Sequence, residues 1–508
     1  MRCILILLNP KSNSIARGKD MEDEGAEIDE KQSLISDMKG FVESMYIIKV
    51  PSYGNSFFYS LGFLLLVIFA VLALTGIIMV FMGPYWWDFS PYGVFVRSVH
   101  MWAAQAFLLI LALHLLTVFS TSAYRQKKLI WIIGSVMFLL VVLQAAFGLG
   151  IRGDFISQWN DLSAADLWNG SGLGYWVNPI NFGALYGWHI AIVPILLVVL
   201  MGTHYLMVKK KGISKPYRGD IPYTMVYADH RKMYIRGIAT VALILAFAFI
   251  FRAPYVSPVT IQNVSTVYPS IMATTLLSEF NYSSGTATYL DTIDPYANNT
   301  RQVYVTVPYE KYLGLHPGSV NEEAAFLSQN SALQQSSIAS AFAYFSDNGT
   351  INVTDNASNP LIPMVSSLVL LGRSGLYDSA INTEQGSYLD TTYQLRFLSD
   401  TGLMDTYATK YGLQYQQWGI VKGTSGWWPP GVWLAAPYNF LEMTLINNDP
   451  NQDRDGVILS VMAFMLFILF PFIPFANKIP DKLGMYKLFW NRFTIPEYRK
   501  TKEGRKEQ

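Results

Sequence analysis

Six apolar stretches divide the chain: residues 56–82, 92–121, 129–150, 184–208, 233–252 and 456–477. At about 1.5 Å of rise per residue, each is long enough to cross a ~30 Å hydrocarbon layer as a helix. The pattern predicts six membrane spans, and the charges between them predict an orientation. Arg125, Lys127 and Lys128 follow the second span. Lys209, Lys210, Lys211, Lys215, Arg218, Arg231, Lys232 and Arg236 lie between or border the fourth and fifth. Lys478, Lys482, Lys487, Arg492, Arg499 and Lys500 follow the sixth. The positive-inside rule puts all three clusters in the cytoplasm, with both termini. Residues 151–183 and 253–455 then face outward.

Outside the spans the pattern changes character. Residues 1–40 begin with CILILL, too short for a span or an ordinary signal-peptide core, and continue through the acidic run MEDEGAEIDEK. They are expected to be disordered cytoplasmic chain, and an over-extended start, with Met21 or Met38 as the true one, fits that composition. MKGFVESMYIIKV, 38–50, reads either as a short amphipathic helix on the membrane face or as a linker. Residues 253–426 are long enough to be an inserted domain. The alternating runs RQVYVTVPYEKY and GTINVT predict strands there, and NSALQQSSIASAFAYF predicts a surface helix. Pro471 and Pro474 are expected to kink or stop the sixth span.

Composition supports a membrane protein with water-exposed parts: 508 residues, 51% hydrophobic and only 14% charged. A formal net charge of +1 argues against a nucleic-acid partner. The single cysteine, Cys3, excludes an internal disulfide framework, a Cys-ligated metal site and the CxxCH attachment of a c-type haem. Asn263, Asn281, Asn298, Asn348, Asn352 and Asn356 begin N-x-S/T sequons, as does Asn169 in the earlier outer loop. Their concentration in outward segments predicts a glycosylated external domain.

Four of the six histidines lie inside two spans: His100 and His114 in one, His189 and His204 in another. Separations of 14 and 15 residues are about 21–22 Å of helical rise, roughly four turns, so each helix presents an imidazole near each membrane face. Ionisable groups within a bilayer are expensive and point to function. Two such helices side by side offer two stacked His–His pairs, which is what two six-coordinate haems require. Gly62 and Gly76 in the first span, and Gly134 and Gly148 in the third, are each 14 apart. Small residues for close helix packing are one reading of these glycines.

On these residues the chain resembles the cytochrome b / cytochrome b6 family of quinol-oxidising complexes. VRSVH at 96–100 resembles the start of that family's second helix, and His-x13-His is its spacing there. His-x14-His followed by KKKGISKP at 209–216 is most similar to the b6 branch. The resemblance implies axial ligation by His100 with His189 at an outer haem and by His114 with His204 at an inner one. It implies that Gly62, Gly76, Gly134 and Gly148 let a flat macrocycle lie against the helix backbone. Arg97, one turn before His100, becomes a candidate partner for an outer haem propionate, or else a snorkelling interfacial arginine. The haems it implies are b-type or another non-covalent kind, and the substrate it implies is quinol or quinone. The implied partners are a Rieske iron–sulfur protein, quinone, membrane lipid and a second copy in a homodimer within a larger complex.

Two departures from the family stand out. Its Leu-Pro-Trp turn reads Ile151-Arg152-Gly153 here. Its Pro-Glu-Trp-Tyr segment, whose glutamate accepts a proton from the outer quinol, reads Pro430-Gly431-Val432-Trp433. The outer quinol site is therefore expected to be degenerate, built on Gly431 and Trp433, with Glu442 or Asp154 as stand-in carboxylates. Lys209, Lys210 and Asp229 are candidates for an inner quinone site.

The expected fold class is an all-α membrane protein: a four-helix dihaem bundle, two further transmembrane helices and a large extracytoplasmic mixed or β-rich insertion. Its parts are 1–40, a 41–252 cytochrome core, the 253–426 insertion, 427–477 with the degenerate segment and sixth helix, and a 478–508 cytoplasmic tail. The expected function is a dihaem cytochrome b subunit carrying electrons across a plasma membrane. Two alternatives are a haem-binding subunit feeding terminal oxidase subunits, and a membrane anchor for the external domain. Sequons without disulfides favour an archaeal cell over a mitochondrion.

Overall fold

The computed structural model describes residues 49–170, 174, 176–214, 223–288, 299–347, 358–382, 390–413, 440, 444–446, 449 and 452–490. The apolar stretches become helices α1 (Phe57–Met82), α2 (Pro91–Ser120), α3 (Lys128–Gly150), α5 (Phe182–Lys211) and α6 (His230–Ile250). All five are long and apolar enough to cross a membrane. Between α3 and α5 lies α4 (Phe155–Gly170). Residues Ile458–Phe472 and Ala476–Lys482 make a sixth span if taken together, bent by 68°.

The bend has a traceable cause. Pro471 has no N–H to give the carbonyl of Phe467, four residues back. Trp131 of α3 donates its indole N–H to that carbonyl at 3.2 Å, and at 3.1 Å to that of Ile468. Past the bend, Tyr124 donates to the carbonyl of Asn477 at 2.9 Å. The last span is thereby seated on the α2–α3 connection.

In the bundle α1 lies along α2, α3 lies along α5, and α6 covers α1 and α2. The α1–α2 and α3–α5 pairs face one another across an apolar interior that includes Leu65, Ile68, Ala103, Phe107, Val141, Val193 and Leu197. At the inner end β1 (Lys49–Pro51) pairs antiparallel with β2 (Met225–Tyr227). Lys49 and Val50, expected at the end of an amphipathic helix, are therefore extended. Their partner strand supplies the backbone hydrogen bonds, and Val50 is buried. The remainder of that expectation, with residues 1–40, lies outside the described residues.

The segment after α6 contradicts the strand reading wherever it is described. It forms α7 (Ile261–Val267), α8 (Pro269–Phe280), α9 (Val307–Leu315), α10 (Ser331–Asp347), α11 (Leu361–Arg373), α12 (Thr392–Asp400) and α13 (Leu403–Tyr411). RQVYVTVPYEKY is a π turn, Gln302–Thr306, running into α9. Its alternation of valines is period two, but the buried positions are Tyr304, Val305, Pro308 and Tyr309, a helical face. Pro308, inside the continuous helix, has no N–H for the carbonyl of Tyr304, four residues back, and the Tyr377 hydroxyl donates to that carbonyl instead. GTINVT lies outside the described residues, and NSALQQSSIASAFAYF is helical, as expected.

This outer unit shares its core with the loop between α3 and α5. Phe155, Ile156, Ala165 and Ile180 are buried in the same cluster as Leu276, Tyr304, Leu368 and Phe397. Gln158 and Val259 exchange two hydrogen bonds of 2.9 Å, and Asn178 donates to Thr392 Oγ1 at 2.8 Å. Deep in the unit two carboxyl groups meet. Glu279, fully buried at the end of α8, accepts from Ser284 at 2.7 Å through Oε2 and faces Asp400 of α12. Asp400 accepts the backbone N–H of Thr286 at 3.1 and 3.2 Å. Burial first, and the hydrogen bond and charge of Asp400 second, raise the Glu279 carboxyl well above its usual range.

Candidate functional site: two histidine–glycine layers

A cavity of about 2070 Å³ runs through the bundle between the helix pairs, against ~300–1,000 Å³ for an ordinary single-ligand site. His100, His114, His189 and His204 all line it, and so do Gly62, Gly76, Gly134 and Gly148. The structure sorts these eight residues into two layers. In the outer layer the rings of His100 and His189 lie 6.3 Å apart, inclined at 66°. A Cβ built on Gly76 of α1 would stand 3.5 Å from His100 Cε1, and one on Gly148 of α3 only 2.6 Å from His189 Cε1. In the inner layer a Cβ on Gly62 would stand 3.7 Å from His114 Cε1, and one on Gly134 3.4 Å from His204 Cε1. Each glycine thus opens the helix surface opposite one imidazole.

The outer imidazoles are oriented by hydrogen bonds at Nδ1. Thr75 Oγ1 spends its single proton on the α1 backbone, 2.7 Å from the carbonyl of Val71, and lies 2.8 Å from His100 Nδ1. With its proton so placed the hydroxyl oxygen accepts there, an arrangement that assigns the His100 proton to Nδ1. His189 Nδ1 is 2.9 Å from the carbonyl of Gln144, which only accepts. Both assignments leave Nε2 with a lone pair, the form an imidazole needs to bind a metal.

The unequal histidine spacing has a structural answer. Trp188–Ile192 is a π turn inside α5. A π turn uses about one residue more than an α turn, so His189 and His204, 15 apart, keep the register of pairs 14 apart. The turn also frees a carbonyl. Val193 N–H goes to Trp188 rather than His189, and Pro194 has no N–H to offer. Gln144 Nε2 takes the His189 carbonyl at 2.8 Å, so one residue of α3 grips His189 at ring and backbone. Sequence reasoning missed this turn; its signals were the extra residue and Pro194.

At the outer end, Arg97 is buried rather than snorkelling. It pairs with Asp88 from the short Pro84–Phe89 helix and donates to the carbonyls of Ala253 at 3.3 Å and Pro254 at 2.5 Å. Its Nε has no hydrogen-bond partner among the described residues. Arg152, in the divergent turn, donates to Asp154 at 2.7 Å and to the same Pro254 carbonyl at 2.8 Å. Burial lowers the Arg152 guanidinium from its usual value and Asp154 partly restores it. Asp154 is fully buried and also accepts the backbone N–H of Ser157 at 3.0 Å, so it is not a spare carboxylate for an outer site. Gly431, Trp433 and Glu442 lie outside the described residues. At the inner end Asp229 caps α6, accepting from Lys232 N at 3.0 Å, and lines the cavity, while Lys209 and Lys210 lie in the last turn of α5. Asn263 and Asn281 are exposed; Asn298, Asn348, Asn352, Asn356 and the Asn169 side chain are not described.

Residues 105–260 match the family described as cytochrome b (N-terminal)/b6/petB. The cytochrome b6 of Prochlorococcus marinus (strain NATL1A) is 30% identical over 209 residues, covering 36% of this chain and 92% of that protein. The cytochrome b6 of Heliomicrobium gestii is 28% identical over 194 residues, 33% of this chain and 89% of that protein. Among solved structures, a chain of a hyperthermophilic respiratory Complex III has 18% identity and a TM-score of 0.40, covering 89% of this chain and 98% of that one. The chain belongs to the cytochrome b N-terminal/b6 family, and is a multi-pass, haem-binding membrane protein of electron transport.

Proposed function

We propose that this chain is the dihaem cytochrome b subunit of a quinol-oxidising membrane complex. The observation that carries this reading is the pairing of four imidazoles with four glycines in two layers of one cavity. His100 with His189 would hold the outer haem iron, and His114 with His204 the inner one. Gly76 with Gly148, and Gly62 with Gly134, supply the flat cradle that a side chain at any of them would begin to fill. Bound haem supplies a one-electron carrier on each side of the membrane. Thr75 and Gln144 hold the outer imidazoles in the metal-binding tautomer.

Lys127, Lys128 and the Lys209–Lys211 run fall at the end of the bundle that carries His114 and His204, which supports a cytoplasmic inner layer. Quinol is the electron donor in this reading, a Rieske iron–sulfur protein takes the second electron, and the complex is dimeric. Arg97, which lines the cavity, stands as the cationic partner of the outer haem's carboxylates. Anaerobic mixing of the purified complex with a short-chain quinol tests the donor. Quinol is expected to reduce haem; haems reduced by dithionite but never by quinol would contradict it.

A further inference from the structure

The turn Ile151-Arg152-Gly153 follows α3 directly, and Arg152 stands four residues beyond Gly148, the glycine against His189. Four residues are about 6 Å of helical rise, and Arg97 is about 4.5 Å of rise before His100. Arg97 and Arg152 both line the cavity, and both donate to the one carbonyl of Pro254. Two cations drawn to a single acceptor, Arg97 buried and Arg152 half-buried, repel each other, and Asp88 pairs with Arg97 as Asp154 does with Arg152. Arg97 lines the cavity, and its buried Nε has no hydrogen-bond partner among the described residues.

We propose that Arg152 is a positioning residue for the outer haem, the second cation beside Arg97, and that the Arg152–Asp154 pair sets that haem's electrostatic potential. This rests on the dihaem reading. A positive charge near an iron favours its reduced state, and a negative charge favours the oxidised one. The effect falls with distance, so a charge one turn from the outer layer acts far more weakly on an inner layer about 21 Å further along. Asp154 carries the charge opposite to that of Arg152, so the two residues act on the same haem with opposite signs.

The test is a spectroelectrochemical titration of the purified complex, with the outer haem assigned by its loss in His189→Ala. Arg152→Gln is expected to lower the outer midpoint potential and Asp154→Asn to raise it. The double variant returns close to the parent value, Arg152→Lys stays near it, and the inner haem is unmoved in all four. If Arg152→Gln does not fold, Arg152→Lys and Asp154→Asn still give the two expected results. Two bound haems with an outer potential unchanged throughout would overturn the inference. So would single variants that shift it in the same direction, as a packing effect would. Parent protein lacking two haems would instead overturn the dihaem reading beneath it.

Discussion

Gly148→Ala is expected to yield a folded protein that has lost the outer haem and kept the inner one. Alanine stabilises a helix interior by about 1 kcal/mol over glycine, so propensity alone favours the variant. Contact decides otherwise. The new methyl would lie 2.6 Å from His189 Cε1 and 3.2 Å from Nδ1, well inside van der Waals separation. His189 cannot easily yield, because Gln144 holds both its ring and its carbonyl, at 2.9 and 2.8 Å. The same change at Gly62 puts a methyl 3.7 Å from His114, an ordinary contact, so Gly62→Ala is expected to be the mildest of the four glycine variants. Haem per chain, measured by pyridine haemochrome across the alanine series, checks the order. Equal haem loss at Gly148 and Gly62 would show that the glycines serve helix packing generally.

Raising pH is expected to loosen the outer unit, through Glu279 and Asp400. The folded state holds a proton on this pair that the unfolded chain releases near an ordinary carboxyl pKa of about 4.3. With the folded pKa raised, the stabilisation is complete below that value and is lost as pH climbs through the folded one. One proton of difference gives a slope of at most about 1.4 kcal/mol per pH unit within the window. Among the described residues Tyr304 and Tyr377 also face the pair, both raised by burial and by Glu279 itself, and neither supplies a compensating charge. Glu279→Gln keeps a donor toward Asp400 and removes the titration. Urea unfolding followed by near-UV circular dichroism at a series of pH values should show the parent's slope flattened in this variant. A parallel slope in both would mean the proton resides elsewhere.

Much of the bundle was legible because it rests on periodic signals. The spans follow from apolar run length and the four histidines from spacings of 14 and 15 on two helices, while the four glycines, also 14 apart, took their place in the site from the family resemblance. The layers also needed partners in space, and there the legible part thins. The π turn at His189 is written only as one surplus residue and a proline. Arg97 is buried by Asp88 and by a carbonyl of Pro254, 157 residues away in sequence, so no local pattern distinguishes it from a snorkelling arginine. The outer unit misled for a different reason. β-Branched alternation at 302–307 resembles a strand, but burial of Tyr304, Val305, Pro308 and Tyr309 selects the helical period. Asp154 looked available as a carboxylate because Arg152, its ion-pair partner, is only two residues away and says nothing of burial until the outer unit closes over it.

The central claim is that one chain holds two haems in stacked layers. Haem per purified chain, by pyridine haemochrome coupled to a redox titration, measures it most directly. Two haems with separable midpoint potentials are the expected result. One haem, or none in a folded and stable protein, would contradict the account.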